Sequence, residues 1–267
     1  MTQALRLAIN GASGRMGRAL LTLVREDRRF ELAGALVSAG SVHHNTPVFP
    51  ELPVSLRYTH DWSAMTADVV IDFSGPDGLV EALGYCTAQR AALVTGTTGI
   101  DASLQARLDQ AAQHIPLLHA ANFSLGVAVL KRLLRDAAVA LPDWDLEIVE
   151  AHHGRKEDAP SGTALALGDA AAQARGTNLE KDAVYAREGR PGARRSGSIG
   201  FAVVRGGDVV GEHTALLLGQ GERIELGHRA TDRSIFARGA LEAAAWLAGR
   251  TPGSYAIDDM LQARLSR

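Results

Sequence analysis

Leu5-Arg-Leu-Ala-Ile-Asn10, followed at once by Gly11-Ala-Ser-Gly-Arg-Met-Gly17, is the stretch that decides how the first half of the chain folds. The apolar run reads as a buried parallel strand. The glycines read as a tight turn, and Met16, Leu20, Leu21, Leu23 and Val24 then keep a helical period. A glycine turn lets backbone approach a pyrophosphate, and a helix starting near Arg15 adds the positive end of its dipole. The spacing Gly11-x-x-Gly14-x-x-Gly17 differs from the commoner G-x-G-x-x-G, so its place directly after a strand carries the argument.

Working outward, Glu31 to Val37 reads as a second strand, Val69 to Phe73 as a third and Pro76 to Arg90 as a helix. Ala92 to Thr95 is strand-like and ends in Gly96-Thr-Thr-Gly99. Asp101 to Gln113 is helical, and Ile115 to Ala120 strand-like. Strands alternating with helices imply a parallel sheet covered on both faces. Ser38 to Tyr58, with Pro47, Pro50 and Pro53, breaks the pattern and reads as a mobile loop with one short strand near Ser55 to Tyr58.

The character changes after Asn122-Phe-Ser124. Gly126 to Leu141 reads as a long helix with Val129, Leu130, Leu133 and Leu134 on one side. Gly197 to Arg205, Gly207 to Leu218 and Glu222 to His228 are β-like, with glycines where turns or bulges belong. Phe236 to Ala248 is alanine-rich and helical, and is expected to return to the first domain. The fold class predicted is α/β: a Rossmann-type dinucleotide-binding domain over 1–124 and 234–267. A second α+β domain over 125–233, for substrate binding and oligomerisation, is built on a mostly antiparallel sheet.

The 267 residues suffice for one large or two small domains, and 46% hydrophobic content with a net charge of -2 is that of an ordinary globular protein. That balance argues against a nucleic-acid binder. A single cysteine, Cys86, forbids an intrachain disulfide and fits a reducing compartment. The opening Met1-Thr-Gln-Ala-Leu-Arg lacks the basic-then-apolar design of an export signal, and no apolar run reaches the ~20 residues of a membrane span. A cytoplasmic protein with no membrane or nucleic-acid partner is expected.

The chemistry concentrates in a second stretch, Glu147-Ile-Val-Glu-Ala-His-His-Gly-Arg-Lys-Glu-Asp-Ala-Pro-Ser-Gly-Thr163. A strand delivers His152 and His153 to a loop carrying Arg155 and Lys156. The loop ends at Ser161-Gly162-Thr163, where a helix begins and its free N–H groups attract anions. Such a layout suits a substrate that carries carboxylates and needs a proton. A zinc site is not expected, because adjacent histidines on a strand point apart and no cysteine or third histidine stands at ligand spacing. His213 reads as structural, Asp158 as a residue capping or orienting the loop, and Arg233 as a weaker candidate for closing the site.

Taken in order, the motifs at 11–17, 96–99, 120–124 (Ala-Ala-Asn-Phe-Ser), 150–163 and 211–214 (Gly-Glu-His-Thr) resemble the 4-hydroxy-tetrahydrodipicolinate reductase (dihydrodipicolinate reductase) family over nearly the whole chain. The resemblance implies NADH- or NADPH-dependent reduction of a cyclic, doubly carboxylated imine on the route to diaminopimelate and lysine, in a homotetramer. It implies that Gly11, Ala12, Ser13, Gly14, Arg15 and Met16 hold the pyrophosphate. Gly96, Thr97, Thr98, Ala120, Ala121, Asn122 and Phe123 would line the nicotinamide pocket. His152 would donate or accept the proton, Lys156 would be the second catalytic group, and His153, Ser161, Gly162 and Thr163 would bind the substrate's carboxylates. The sequence departs from the family at the end of the second strand, where Val37-Ser38 replaces an acid-arginine pair. Ser38, Ser41 and His43 remain as polar contacts, and the choice between NADH and NADPH stays open. Hydride transfer is expected to require closure of the two domains about crossing points near Ser124 and Ser234.

Two other readings compete. A different two-domain NAD(P)-dependent dehydrogenase of amino or imino acids would share the first domain but not the 150–163 stretch. A nucleotide-sensing protein without chemistry would be expected to lack the histidine or the lysine, and this sequence has both.

Overall fold

The computed structural model describes residues 3–266. Met1, Thr2 and Arg267, which fall within the expected leaderless start and the expected ends of the first domain, lie outside the described residues. The chain divides into two compact units, one running through Ser124 and resuming at Ser234, the other spanning Leu125–Arg233.

Unit 1 is built on six parallel strands: β1 (Leu5–Asn10), β2 (Phe30–Leu36), β3 (Val69–Asp72), β4 (Ala92–Thr95), β5 (Pro116–His119) and β11 (Gly253–Tyr255). Their order is β11-β5-β4-β3-β1-β2, so the direction of winding reverses between β1 and β3. Helices α1 (Arg15–Val24), α2 (Pro76–Gln89), α3 (Ala102–Ala112), α7 (Ser234–Leu247) and α8 (Ile257–Leu265) complete the unit. The helix boundaries have local causes. Arg90 ends α2 in the left-handed conformation at φ 56°, and the Asp101 carboxylate accepts the Leu104 N–H at the start of α3. Leu79, Leu83, Leu93, Leu104, Leu108 and Ile115 pack into one buried core. At roughly 1.5–3 kcal/mol for each fully buried side chain, burial of this kind holds the helices on the sheet.

One expectation for unit 1 needs correction. Ser55 to Tyr58 forms no strand; the proline-rich segment makes only isolated pairings, Leu36 with Thr59 and Pro47 with Arg57. Prolines lack the N–H a ladder needs. The short β11 and the final α8 were not anticipated, although Ile257, Met260, Leu261 and Leu265 keep a helical spacing in α8. β11 exists because Gly253–Tyr255 adds to the edge of the sheet beside β5.

Unit 2 holds α4 (Leu125–Ala140), β6 (Asp145–His152), α5 (Gly162–Ala174), the short α6 (Leu179–Asp182), β7 (Ala183–Val184), β8 (Ile199–Arg205), β9 (Gly211–Leu218) and β10 (Arg223–Ala230). The sheet order is β10-β9-β6-β8-β7. It is a mixed sheet. β10-β9 and β9-β6 are antiparallel, but β6-β8 and β8-β7 are parallel. The connection from β6 to β8 passes through α5, and such a crossover returns the chain in the same direction. Leu146, Ile148, Ile199, Ala215 and Leu217 form a core with Leu130, Leu134, Ala164 and Leu167 of α4 and α5. Val129 and Leu133, expected on the apolar side of α4, are about half exposed. Among the described residues no helix is long and apolar enough to cross a membrane.

Candidate active site

In unit 1 the strand-order reversal sets β1 beside β3, and ligands of open α/β sheets bind at the carboxyl ends of strands at such a point. Gly11 follows β1 with φ +76°, and a Cβ there would sit 2.6 Å from the Phe73 carbonyl oxygen. A Cβ at Gly17 would lie 2.3 Å from the Gly11 carbonyl oxygen. Only glycine lets the turn lie this close to β3 and α1. Gly14 caps α1 with no side chain accepting its first N–H groups, which leaves a helix start suited to phosphate. A dinucleotide therefore fits this end of the sheet. Gly14, Arg15 and Ser38 are exposed there. Ala12 is fully buried and its N–H bonds the Leu36 carbonyl, so it fastens the turn to β2.

The next loop is organised by a residue that the sequence did not single out. Asp72, at the end of β3, is fully buried. Its carboxylate accepts Asn10 Nδ2 at 2.9 Å, Ser74 Oγ at 2.5 Å and the hydroxyls of Thr95 and Thr97, each at 2.7 Å. It thereby ties the ends of β1, β3 and β4 together. Thr97 is accordingly buried with its hydroxyl engaged, whereas Thr98 is exposed. A Cβ at Gly96 would collide with the Phe73 ring, and that ring meets Phe123 edge-on at 5.4 Å. Phe123 is buried and supports the wall from behind; Ala121 is exposed, and Ala120 and Asn122 are half-buried. A concavity of about 1140 Å³ near Leu5, Asp27 and Glu242 lies at the amino ends of the strands, away from these loops.

In unit 2 the alternation of β6 puts Glu150 and His152 on one face. The side chain of Glu150 is 0% exposed. Its Oε2 meets His152 Nδ1 at 2.6 Å, and its Oε1 accepts the Ser161 N–H at 2.9 Å. Arg205, opposite His152 on β8 and 19% exposed, donates to both oxygens at 2.7 and 2.8 Å. Burial pushes the Glu150 carboxyl up, but the bonds from Arg205, His152 and Ser161 outweigh it and hold it below the usual range. With its Nδ1 held by Glu150, His152 sets Nε2 beside Gly211, where a Cβ would come within 3.0 Å of that nitrogen. A glycine at 211 gives the ring its room.

Lys156 Nζ lies 2.6 and 2.9 Å from the two oxygens of Asp158. Asp158, expected to cap or orient the loop, is thus the counterion of Lys156, and its carbonyl accepts Arg205 Nη2. His153 sits in a positive field. Burial first, then Arg233, Arg155, His152 and Lys156, hold its imidazole below the ordinary value. Ser161 differs from expectation. It is 2% exposed, its N–H goes to Glu150, and its hydroxyl accepts the Ala164 N–H and meets His213 Nε2 at 3.0 Å. It builds the turn, and Gly162 at the first position of α5 is the exposed residue beside it. His213 is buried in an edge-on contact 5.1 Å from His152, and burial, then the neighbouring His152, pull its imidazole down to about 4.

His152, His153, Lys156 and the start of α5 are therefore brought together in unit 2. Glu150, Arg205 and Gly211 were missed as parts of the site. The strand period placing Glu150 two residues before His152 could have revealed the first; Arg205 and Gly211 come from other strands.

Comparison with known proteins agrees with this picture. A family model described as dihydrodipicolinate reductase, N-terminus, matches residues 5–123, and one described as dihydrodipicolinate reductase, C-terminus, matches residues 126–261. The chain is 46% identical over 268 residues to the 4-hydroxy-tetrahydrodipicolinate reductase of Parvibaculum lavamentivorans, covering 98% of this chain and 99% of that one. It is 44% identical over 263 residues to the enzyme of that name from Syntrophotalea carbinolica, covering 96% and 98%. Among solved structures, dipicolinate-bound dihydrodipicolinate reductase from Paenisporosarcina matches with a TM-score of 0.76 at 23% identity, covering 95% of this chain and 97% of that one. That match supports the fold.

Proposed function

The chain belongs to the dihydrodipicolinate reductase family, and we propose that it reduces 4-hydroxy-tetrahydrodipicolinate to tetrahydrodipicolinate with NADH or NADPH, on the way to diaminopimelate and lysine. The observation that carries the reading is the imidazole of His152, held at Nδ1 by a buried carboxylate inside a cluster of cations. A double carboxylate needs the cations; a carbon receiving a proton needs the imidazole.

In this reading unit 1 is the dinucleotide-binding domain and unit 2 the substrate domain. Gly11 to Met16 receive the pyrophosphate, and Gly96, Thr98 and the 120–122 segment, backed by Phe123, line the nicotinamide. A bound reduced nicotinamide would supply a hydride to ring carbon 4, the 4-hydroxyl leaving as water. Glu150 fixes the His152 ring so that Nε2 faces the substrate and exchanges its proton there, work typically worth ~10²–10⁴-fold in rate. Lys156, held near by Asp158, meets negative charge as it develops. Gly162 offers a backbone N–H, and His153 and Thr163 polar side chains, to the carboxylates.

A homotetramer is part of the same proposal. Unit 2 packs α4 and α5 on the Leu146 and Ile148 face of its sheet. The opposite face carries Val149, Val204, Leu216 and Leu218, all partly or largely exposed. Sheets burying these faces together would remove that apolar surface from water. Light scattering that gives a concentration-independent monomer would remove the tetramer.

The activity is tested by mixing purified protein with freshly made substrate and following the loss of reduced-nicotinamide absorbance. Turnover is expected with at least one of the two cofactors. Tight cofactor binding with no turnover would favour the nucleotide sensor.

A further inference from the structure

At the end of the second strand of a dinucleotide-binding sheet, an acid reads the bare ribose hydroxyl or a nearby arginine accommodates a 2′-phosphate. Here Val37 is buried and Ser38 is short, so β2 itself supplies neither group. Helix α1 supplies the cation instead. Arg18, exposed one turn into α1, donates Nε–H to the Ser13 carbonyl at 2.8 Å, and its Nη2 lies 3.3 Å from His43 Nε2. Ser13 belongs to the phosphate turn and His43 to the loop after β2. The guanidinium therefore stands between the phosphate turn and the loop after β2, beside the strand end where a 2′-substituent is read.

The loop is shaped to match. The Ser41 N–H bonds the Ser38 carbonyl, and the Ser41 hydroxyl accepts the His43 N–H at 3.2 Å. Ser38, Ser41 and His43 are thus drawn into one turn, with the ring of Tyr58 packed 5.8 Å from that of His43. Charge decides the preference. Arg25 is paired with Glu51, and Arg29 with Asp27 and Glu242. Among the described residues no carboxylate pairs with Arg18. A guanidinium left without a counterion, next to a histidine whose turn also carries Ser38 and Ser41, is a receptor for an anion. With Val37-Ser38 in place of an acid, no carboxylate stands at the end of β2 to repel one.

We propose that Arg18, with His43, Ser38 and Ser41, forms a 2′-phosphate site and that the protein prefers NADPH to NADH. The inference rests on the reading that unit 1 binds a nicotinamide dinucleotide, and the test separates the two. Calorimetric titration of the full chain with NADPH, NADH, adenosine 2′,5′-bisphosphate and AMP measures binding without turnover. The unaltered protein should bind NADPH and the bisphosphate at least about tenfold more tightly than their counterparts lacking the 2′-phosphate. Arg18→Ala should weaken both phosphorylated ligands by about ten- to a hundredfold, the range of one charge-assisted pair. NADH affinity should change no more than about twofold, which also shows that the variant is folded. Arg18→Lys, with charge but no fork, should fall between. If neither dinucleotide binds the unaltered protein, the underlying reading fails and the inference with it. If both bind equally, or Arg18→Ala weakens them alike or not at all, the reading stands and the 2′-phosphate site is overturned.

Discussion

Glu150→Gln tests the arrangement around His152 most directly. The substitution keeps the shape of the side chain and removes its charge. In the native protein that charge receives two bonds from Arg205, one from the Ser161 N–H and one from His152 Nδ1. Glutamine's oxygen can accept from Arg205 or Ser161, but its NH₂ would face a donor. Removing one partner of a buried pair typically costs ~3–5 kcal/mol, because the other charge is left uncompensated. Arg205 keeps 19% exposure, and water reaching it lowers the expected loss to about 2–3 kcal/mol. Equilibrium urea unfolding at neutral pH measures this as a lower midpoint with an unchanged slope. The same variant should lower kcat by at least about tenfold, because the His152 ring loses its anchor. Glu150→Asp should recover part of kcat. Adding Arg205→Met to Glu150→Gln should cost less than the two single changes together, since it removes the stranded cation. A loss under about 1 kcal/mol, with kcat unchanged, would refute the view that this carboxylate holds the site.

Three further outcomes are expected. Lys156→Ala should lower kcat by about 10²–10⁴-fold with dinucleotide affinity unaltered in fluorescence titration; a variant with full kcat would remove Lys156 from the mechanism. Gly11→Ala forces a Cβ to 2.6 Å from the Phe73 carbonyl at φ +76°, a strain of about 1–3 kcal/mol, and should weaken NADPH and NADH alike by at least about tenfold; unchanged affinity would mean that the turn does not meet the pyrophosphate. His213, drawn down to about 4 by burial, takes up protons in the unfolded chain from about pH 6.5 downward. Stability should therefore decline as pH falls from about 6.5 to about 4, by up to roughly 3 kcal/mol, and Glu150 adds a further loss below about pH 4.3, its unfolded value. His213→Gln should flatten the first decline in unfolding curves taken across that range, and an unchanged pH profile would count against a neutral buried imidazole.

Local sequence determined a good deal of this protein. Leu5–Asn10 and Gly11 to Gly17 announce a strand, turn and helix because burial and positive φ each restrict which residues can serve there. Gly126 to Leu141 and the strand of His152 were readable for the same reason: periods of 3.6 and 2 are written along the chain. Nothing periodic marks β11, and the parallel pairing of β8 with β6 depends on a crossover that strand composition does not reveal. The tertiary structure alone brought Arg205 from β8 and Gly211 from β9 to the Glu150–His152 pair, and drew Ser161 inward where a donor to substrate had been expected. It also set Arg18 beside the loop after β2. A side chain's neighbours in sequence show its periodicity, but the charge that orients an imidazole or awaits a phosphate comes from whichever strand or helix the fold lays alongside.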